Sequence, residues 1–427
     1  MKRLSLILLA LAACRDSSPQ KPATSEAPAK VAVTPDQKVP AEVPAPAAAQ
    51  ADGPAKLTIN SKVMGEERTI LVRTPRGYQQ GSDRFPVLYL TDGGQHIGHT
   101  SATIEFLAGN GRMPEMIVVG IVNTDRNRDL TPTHASFTEN GREFPIPTSG
   151  GADKFLQFIE TEVIPLVESK YRVQPYRVLA GHSFGGLFAM HVFTTKTDLF
   201  NAYIAASPTL PWDHDLVLKG TEKLLKERPE LAKTLFVTIG AEPGLQAGFD
   251  HLQQLLKKSK VKGFEWGMEQ FRDEDHGSVV MRTHYQGFRK VFAGWQIPRE
   301  KDGSIAGGLA GADKHFKELS ARLGYQVQVP EALINQIGYQ FLLGPDKKVA
   351  EAIEVFKVNV ERYPESANVH DSLGEAYEAA GKLDLARAGY QKAIDIGGPK
   401  ADPNLSAYKD HLAGLDKKGK QADSATN

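Results

Sequence analysis

Apolar residues in the central part of the chain come in short runs broken by glycine, proline and acidic clusters. Thr69–Arg73 (TILVR) and Val87–Leu90 (VLYL) predict strands. Met116–Val122 (MIVVGIV) is apolar throughout, the pattern of a parallel strand buried on both faces. Arg177–Ala180, Tyr203–Ala206, Leu235–Gly240 and Phe264–Gln270 predict further strands. Helical spacing links Phe155, Phe158, Ile159, Val163 and Leu166 across Ala152–Ser169, with Pro165 placed to kink or restart that helix. Asp250–Lys260 and His284–Trp295 predict two more helices. Strands alternating with helices predict an α/β class: a mostly parallel sheet flanked by helices, with functional groups at the carboxyl ends of its strands.

Beyond Trp295 the pattern changes. Lys301–Asp313 is glycine-rich and reads as a linker, within a span 299–330 that also holds a helix at Lys314–Leu323. From Glu331 to 416 the chain predicts a small all-α domain. Leu373, Gly374, Tyr377, Gly381, Ala386, Tyr390 and Ala393 match tetratricopeptide (TPR) spacing, and a looser copy runs through Ile337, Gly338, Phe341, Ala352, Phe356 and Pro364. Asn404–Leu415 reads as a capping helix and 417–427 as a disordered tail. Two repeats are fewer than such arrays usually need, so the module is expected to lean on the preceding domain or on the helix before it. Its expected ligand is a protein partner.

The chemistry centres on Gly181-His182-Ser183-Phe184-Gly185, where an apolar strand runs into a helix-prone segment. G-x-S-x-G at such a junction predicts a sharp turn that exposes a serine at the helix N-terminus. A serine hydroxyl needs an adjacent base. Of the 12 histidines, His276 lies after the last predicted strand and before the closing helix, where a base following the serine in chain order belongs. Glu242, two residues past the strand ending at Gly240, is the expected orienting acid. Asp250 is the alternative, or else a helix cap; Asp213, Asp215 or a Ser–His pair without an acid stay open. The oxyanion hole is expected from the backbone N–H of Phe184 and, from the loop after Val87–Leu90, that of Gly94.

Composition narrows the setting. The 427 residues carry 51 basic and 51 acidic side chains, so nothing suggests a grip on nucleic acid. A single cysteine, Cys14, excludes intrachain disulfides. Met1-Lys2-Arg3, a short apolar run and Leu11-Ala12-Ala13-Cys14 read as a signal peptide over 1–14. It resembles the bacterial lipoprotein signal, which implies lipidation of Cys14, a membrane anchor and a periplasm-facing protein. Arg15, where an aspartate would favour the inner membrane, points to the outer one. Residues 15–56 are rich in Pro, Ala and Ser and read as a disordered tether ahead of the catalytic domain 57–298.

Four segments together resemble one family. They are Tyr89-Leu90-Thr91-Asp92-Gly93, Asn123-Thr124-Asp125-Arg126-Asn127-Arg128-Asp129-Leu130-Thr131-Pro132, Gly181-His182-Ser183-Phe184-Gly185-Gly186 and Asp275-His276-Gly277-Ser278. They look like the esterase D/ferric-enterobactin-esterase group of α/β hydrolases, over about Leu57–Trp295. The resemblance implies an α/β-hydrolase fold and hydrolysis of a small carboxylic ester by Ser183 and His276. Gly94 is named partly because related acyltransferases use the N–H that follows Asp-Gly. Acyl transfer by the same serine, and a non-catalytic TPR-bearing envelope scaffold, are the alternatives. No cofactor is implied; for a siderophore ester, iron would belong to the substrate. Arg126 and Arg128 are expected either to hold an anionic substrate or to pin their loop through Asp125 and Asp129. Trp212 is expected to line the substrate cleft or pack in the core, and Pro208 stands where a second aromatic would be expected. His96 and His99 have metal-like spacing, with nothing nearby in sequence to complete a site, so no metal is expected.

Overall fold

The apolar runs become the middle of a sheet. The computed structural model describes residues 53–79, 81–139 and 142–425; the signal peptide with Cys14 and all but the last few tether residues lie outside them. The strands are β1 (Ala55–Ser61), β2 (Glu66–Arg73), β3 (Phe85–Leu90), β4 (Ile117–Ile121), β5 (Ser136–Glu139), β6 (Arg142–Pro145), β7 (Val173–His182), β8 (Ala202–Ala206), β9 (Thr234–Ile239) and β10 (Glu265–Gln270). Eight of them form one sheet in the order β1-β2-β4-β3-β7-β8-β9-β10, and β5 and β6 form a separate hairpin. β2 runs antiparallel to both β1 and β4, and every other pairing in the large sheet is parallel. Every residue of β4, β8 and β9 is buried, because helices cover both faces of a parallel sheet.

The helices of this part are α1 (Gly93–Gly109), α2 (Arg126–Leu130), α3 (Ala152–Phe158), α4 (Ile164–Lys170), α5 (Phe184–Thr195), α6 (Leu216–Glu227), α7 (Pro243–Lys258) and α8 (Val279–Val291). A π turn at Ile159–Val163 separates α3 from α4. It lies just ahead of Pro165, which has no N–H to continue a regular ladder. In α5 every residue from Phe184 to Phe193 is buried, so this helix is the centre of one covering layer.

Several boundaries differ from the sequence reading. α7 starts at Pro243 rather than Asp250, since proline at the first turn forfeits only an N–H that has no partner there. Asp250 is therefore mid-helix and caps nothing. The closing helix starts at Val279 and is over by Phe292, with Gly294 in the left-handed region at φ 76° just beyond. α1, α6, β1 and the β5–β6 hairpin were not foreseen. β1 starts at Ala55, where the sequence reading begins the folded part near Leu57.

By its contacts the chain divides into Met1–Phe292 and Ala293–Asn427. The second unit is helical: α9 (Gly308–Leu323), α10 (Glu331–Leu343), α11 (Val349–Arg362), α12 (Ala367–Ala379), α13 (Leu383–Gly397) and α14 (Leu405–Ala425). The glycines expected to form a linker instead start α9, after Gly307 at φ 71°. α14 runs past the expected end at 416, through Lys, Gln and Ala residues that favour helix. A Cβ on Gly338 would lie 2.4 Å from the Phe356 ring, and one on Gly374 2.7 Å from the Tyr390 ring. Small-to-large packing of this kind brings α10 against α11 and α12 against α13.

Candidate active site

Ser183 stands between β7 and α5, at φ 60° and ψ −115°. A residue with a side chain holds such a conformation only when the surrounding chain imposes it. The neighbours do so: a Cβ on Gly181 would lie 2.2 Å from the Gly185 carbonyl oxygen, and one on Gly185 2.3 Å from Thr91 Oγ1. The glycines thus admit a turn whose backbone touches both itself and the end of β3. The Ser183 N–H donates to Ala206 O at 2.9 Å, tying the turn to β8.

Glu242 follows β9, nearly buried. Its Oε1 accepts from Ser207 Oγ at 2.5 Å and from the Gly240 N–H at 2.9 Å. Its Oε2 pairs with Nδ1 of His276. Burial alone would push this carboxyl up, but the hydrogen bonds and charge of His276, with Ser207 and Gly240, outweigh it and hold it below the ordinary glutamate value. His276 stands in the loop between β10 and α8. There Asp275 Oδ1 accepts the N–H groups of Gly277 at 2.9 Å and Ser278 at 2.8 Å. His182, the residue before the serine, reaches the same loop, with ring centroids 4.7 Å from those of His276. Ser183, Glu242 and His276 therefore follow the carboxyl ends of β7, β9 and β10, parallel strands of one sheet in which β8 separates the first two. Asp250 instead accepts from Gln246 Nε2 at 2.9 Å, on an exposed helix face.

Phe184 and Gly94 are each among the first residues of a helix, where backbone N–H groups have no acceptor in the helix itself. The start of α1 abuts β4. Gly93 is required for this: a Cβ there would lie 2.3 Å from Gly120 C. Asp92, before it, is left-handed at φ 54° and nearly buried.

Arg126 does not pair with Asp125 or Asp129 as expected. Its Nε and Nη2 donate to the two carboxylate oxygens of Asp92, at 2.7 and 3.1 Å. Asp125 caps α2 by accepting the Arg128 N–H at 3.0 Å. Arg128 meets Asp129 at 2.8 Å and Glu66 at 2.6 Å, in a network that includes the wholly buried Arg68. The Arg128 hydrogen bond is the main reason that the Glu66 carboxyl is pulled down to about 2. Trp212 is buried; its Nε1 donates to Thr133 Oγ1 at 3.0 Å and its ring meets Phe184 edge-on. His96 Nδ1 and His99 Nε2 are 3.0 Å apart, and tertiary packing adds the rings of His182 and His284. Burial pushes the His96 imidazole down to about 4. Among the described residues, side chains spaced to share a metal are Asp371, Glu375 and His411 of the helical unit, where Asp371 and His411 pair at 2.9 Å.

Sequence reading missed Asp92, His182 and Ser207. Asp92 sat inside a quoted motif, and His182 inside the elbow, but neither type nor spacing says what such a side chain reaches. Ser207 ends β8 at φ 40° and carried no signal beyond its place at a strand end.

Residues 61–244 match the model of a family described as Putative esterase. The chain is 36% identical over 156 residues to the ferri-bacillibactin esterase BesA of Bacillus subtilis, covering 32% of this chain and 52% of that one. It is 36% identical over 210 residues to the siderophore enterobactin esterase of Emericella nidulans, covering 39% of this chain and 67% of the fungal one. The chain thus spans about half of the bacterial relative and two thirds of the fungal one. An IroE-like serine hydrolase from Shewanella oneidensis superposes with a TM-score of 0.60 at 28% identity, covering 73% of this chain and 99% of that structure.

Proposed function

The chain belongs to the Putative esterase family, and from that premise we propose that it hydrolyses small carboxylic esters through an acyl-enzyme on Ser183. The observations that carry this are the paired Glu242 and His276 side chains, which follow β9 and β10, and a serine held at φ 60° between β7 and α5. Glu242 accepts the Nδ1–H hydrogen bond of His276, which fixes the tautomer and leaves Nε2 as the base for the serine hydroxyl. The Ser183 oxygen attacks the ester carbonyl, and the Phe184 and Gly94 N–H groups receive the oxyanion. His276 returns the proton to the leaving alcohol. Water, deprotonated by the same imidazole, then releases the acid and restores the serine.

Siderophore esters are the proposed substrates. The support is the similarity to the bacillibactin and enterobactin esterases, and ferric iron would enter only as part of such a substrate. A lipid on Cys14 would anchor the protein to the outer membrane, facing the periplasm, with 15–56 as tether. The helical unit, with its glycine-to-ring packing, is proposed as a TPR-like module for a protein partner.

The test is the purified full-length chain against p-nitrophenyl acetate and a ferric trilactone siderophore, read by absorbance and mass spectrometry. Hydrolysis is expected, with Ser183→Ala reducing it more than about 10³-fold. Equal turnover by Ser183→Ala overturns the reading.

A further inference from the structure

We propose that Arg126 is a positioning residue that joins the two arms of the oxyanion hole, rather than a ligand for an anionic substrate; this rests on the ester-hydrolase reading of the Ser183 site. One arm is Asp92-Gly93-Gly94, at the start of α1. The other is His182-Ser183-Phe184, at the start of α5. Arg126, at the start of α2, reaches both. Its Nε and Nη2 take the Asp92 carboxylate at 2.7 and 3.1 Å, and the same Nη2 donates to the His182 carbonyl oxygen at 3.1 Å. The guanidinium carbon stands 5.5 Å from the centroid of the Phe184 ring. Each acceptor thus lies two residues before a proposed oxyanion donor.

Both arms need holding. Asp92 and Ser183 have positive φ, at 54° and 60°. Asp92 heads α1 yet its side chain does not cap the helix. Its carboxylate turns instead to Arg126 and to Asn123 Nδ2. A left-handed aspartate and a strained serine follow two neighbouring strands, and Arg126 adds a side-chain bridge to the main-chain pairing between them. A planar guanidinium is suited to this, since it donates in a fixed fork where an ammonium is a point charge. The Nε/Nη2 edge, one of the two edges by which a guanidinium clasps a carboxylate bidentately, is occupied by Asp92.

The test uses the full-length protein and two esters: neutral p-nitrophenyl acetate and anionic 4-nitrophenyl hemisuccinate. A substrate ligand matters only for the second, whereas an oxyanion-hole positioner matters for both. Arg126→Gln is expected to lower kcat on the neutral ester about 10²-fold, the scale of losing one oxyanion donor, with KM changed less than about two-fold. Arg126→Lys is expected to recover only part of that loss. Asp92→Asn is expected to act like Arg126→Gln, and the double variant to be no worse than either single one. Hydrogen–deuterium exchange should rise in both peptides 91–97 and 183–190 of Arg126→Gln, with circular dichroism unchanged. Unchanged kcat on the neutral ester with a raised KM for the hemisuccinate overturns the proposal in favour of substrate binding. If the wild-type protein cleaves neither ester, the hydrolase reading fails, and exchange alone decides: unaltered exchange in either peptide overturns the positioning role.

Discussion

The Nε2–H of His182 donates to the main-chain carbonyl oxygen of His276 across 2.6 Å. A carbonyl can only accept, so this contact sets the His182 tautomer. Burial first, then the charges of His276, His96 and Arg126, hold the His182 imidazole well below the usual histidine range, so it is neutral where the site works. A neutral ring fits here, because a charged one would oppose the imidazolium that the proposed acylation would form on His276. The residue before Ser183 thus holds the loop of the proposed base.

His182→Phe should keep the ring volume and remove the donor. The expected result is a fall in kcat of about 10- to 100-fold on p-nitrophenyl acetate with little change in KM, the cost of a slightly misplaced base. Stopped-flow or steady-state kinetics checks it, and an unchanged kcat would show that the contact is not needed to place His276.

The strain at Ser183 predicts a stability effect opposite in sign to the effect on activity. Ser183→Gly and Ser183→Ala both remove the nucleophile, but only glycine is at ease at φ 60°, ψ −115°. Urea unfolding should find Ser183→Gly more stable than Ser183→Ala by about 1 kcal/mol. Equal midpoints would mean that the turn stores no strain.

Glu242→Gln should lower kcat by about 10²- to 10⁴-fold, since a neutral amide neither fixes the Nδ1–H tautomer nor balances the imidazolium. Asp250→Asn should leave kcat unchanged, because that carboxylate faces Gln246 on the far side of a helix turn. Parallel kinetics on the two variants decides between the acids, and a large loss in Asp250→Asn would reverse the assignment.

Acid should weaken the first unit through its histidines. His96 ordinarily protonates near 6.5, and burial pushes it down to about 4 in the fold, against the pull of Asp92 and with the help of His99 and Arg126. Between those values the unfolded chain binds more protons than the folded one. The neutral ring's contribution is therefore fully present above pH 6.5 and falls, by up to about 1.4 kcal/mol per pH unit, as pH drops towards 4. Urea unfolding at pH 7 and pH 5 should show His96→Phe to be less acid-sensitive than the wild type. Identical pH slopes for the two would exclude His96 as a source.

What the sequence determined by itself was local. Continuous apolar runs such as 116–122 marked the inner strands because burial on both faces leaves no room for polar residues. The elbow was legible because its glycines act within five residues. Glu242 and His276 were visible as acid and base types near strand ends. The sequence favoured Glu242 over Asp250 but could not place either against His276; with α7 starting at Pro243, Glu242 stands before the helix and pairs with His276, while Asp250 is mid-helix. The start of α1 was hidden because it lies on two glycines, poor helix formers, of which Gly93 is needed for a backbone contact with Gly120. Only the tertiary structure decided the pairings: Arg126 with Asp92 rather than with its own neighbours, Glu242 with Ser207, and His182 with the loop of His276. Each joins separate strands, so it follows from sheet order and register, which are set by the packing of the whole sheet and by no single stretch of the chain.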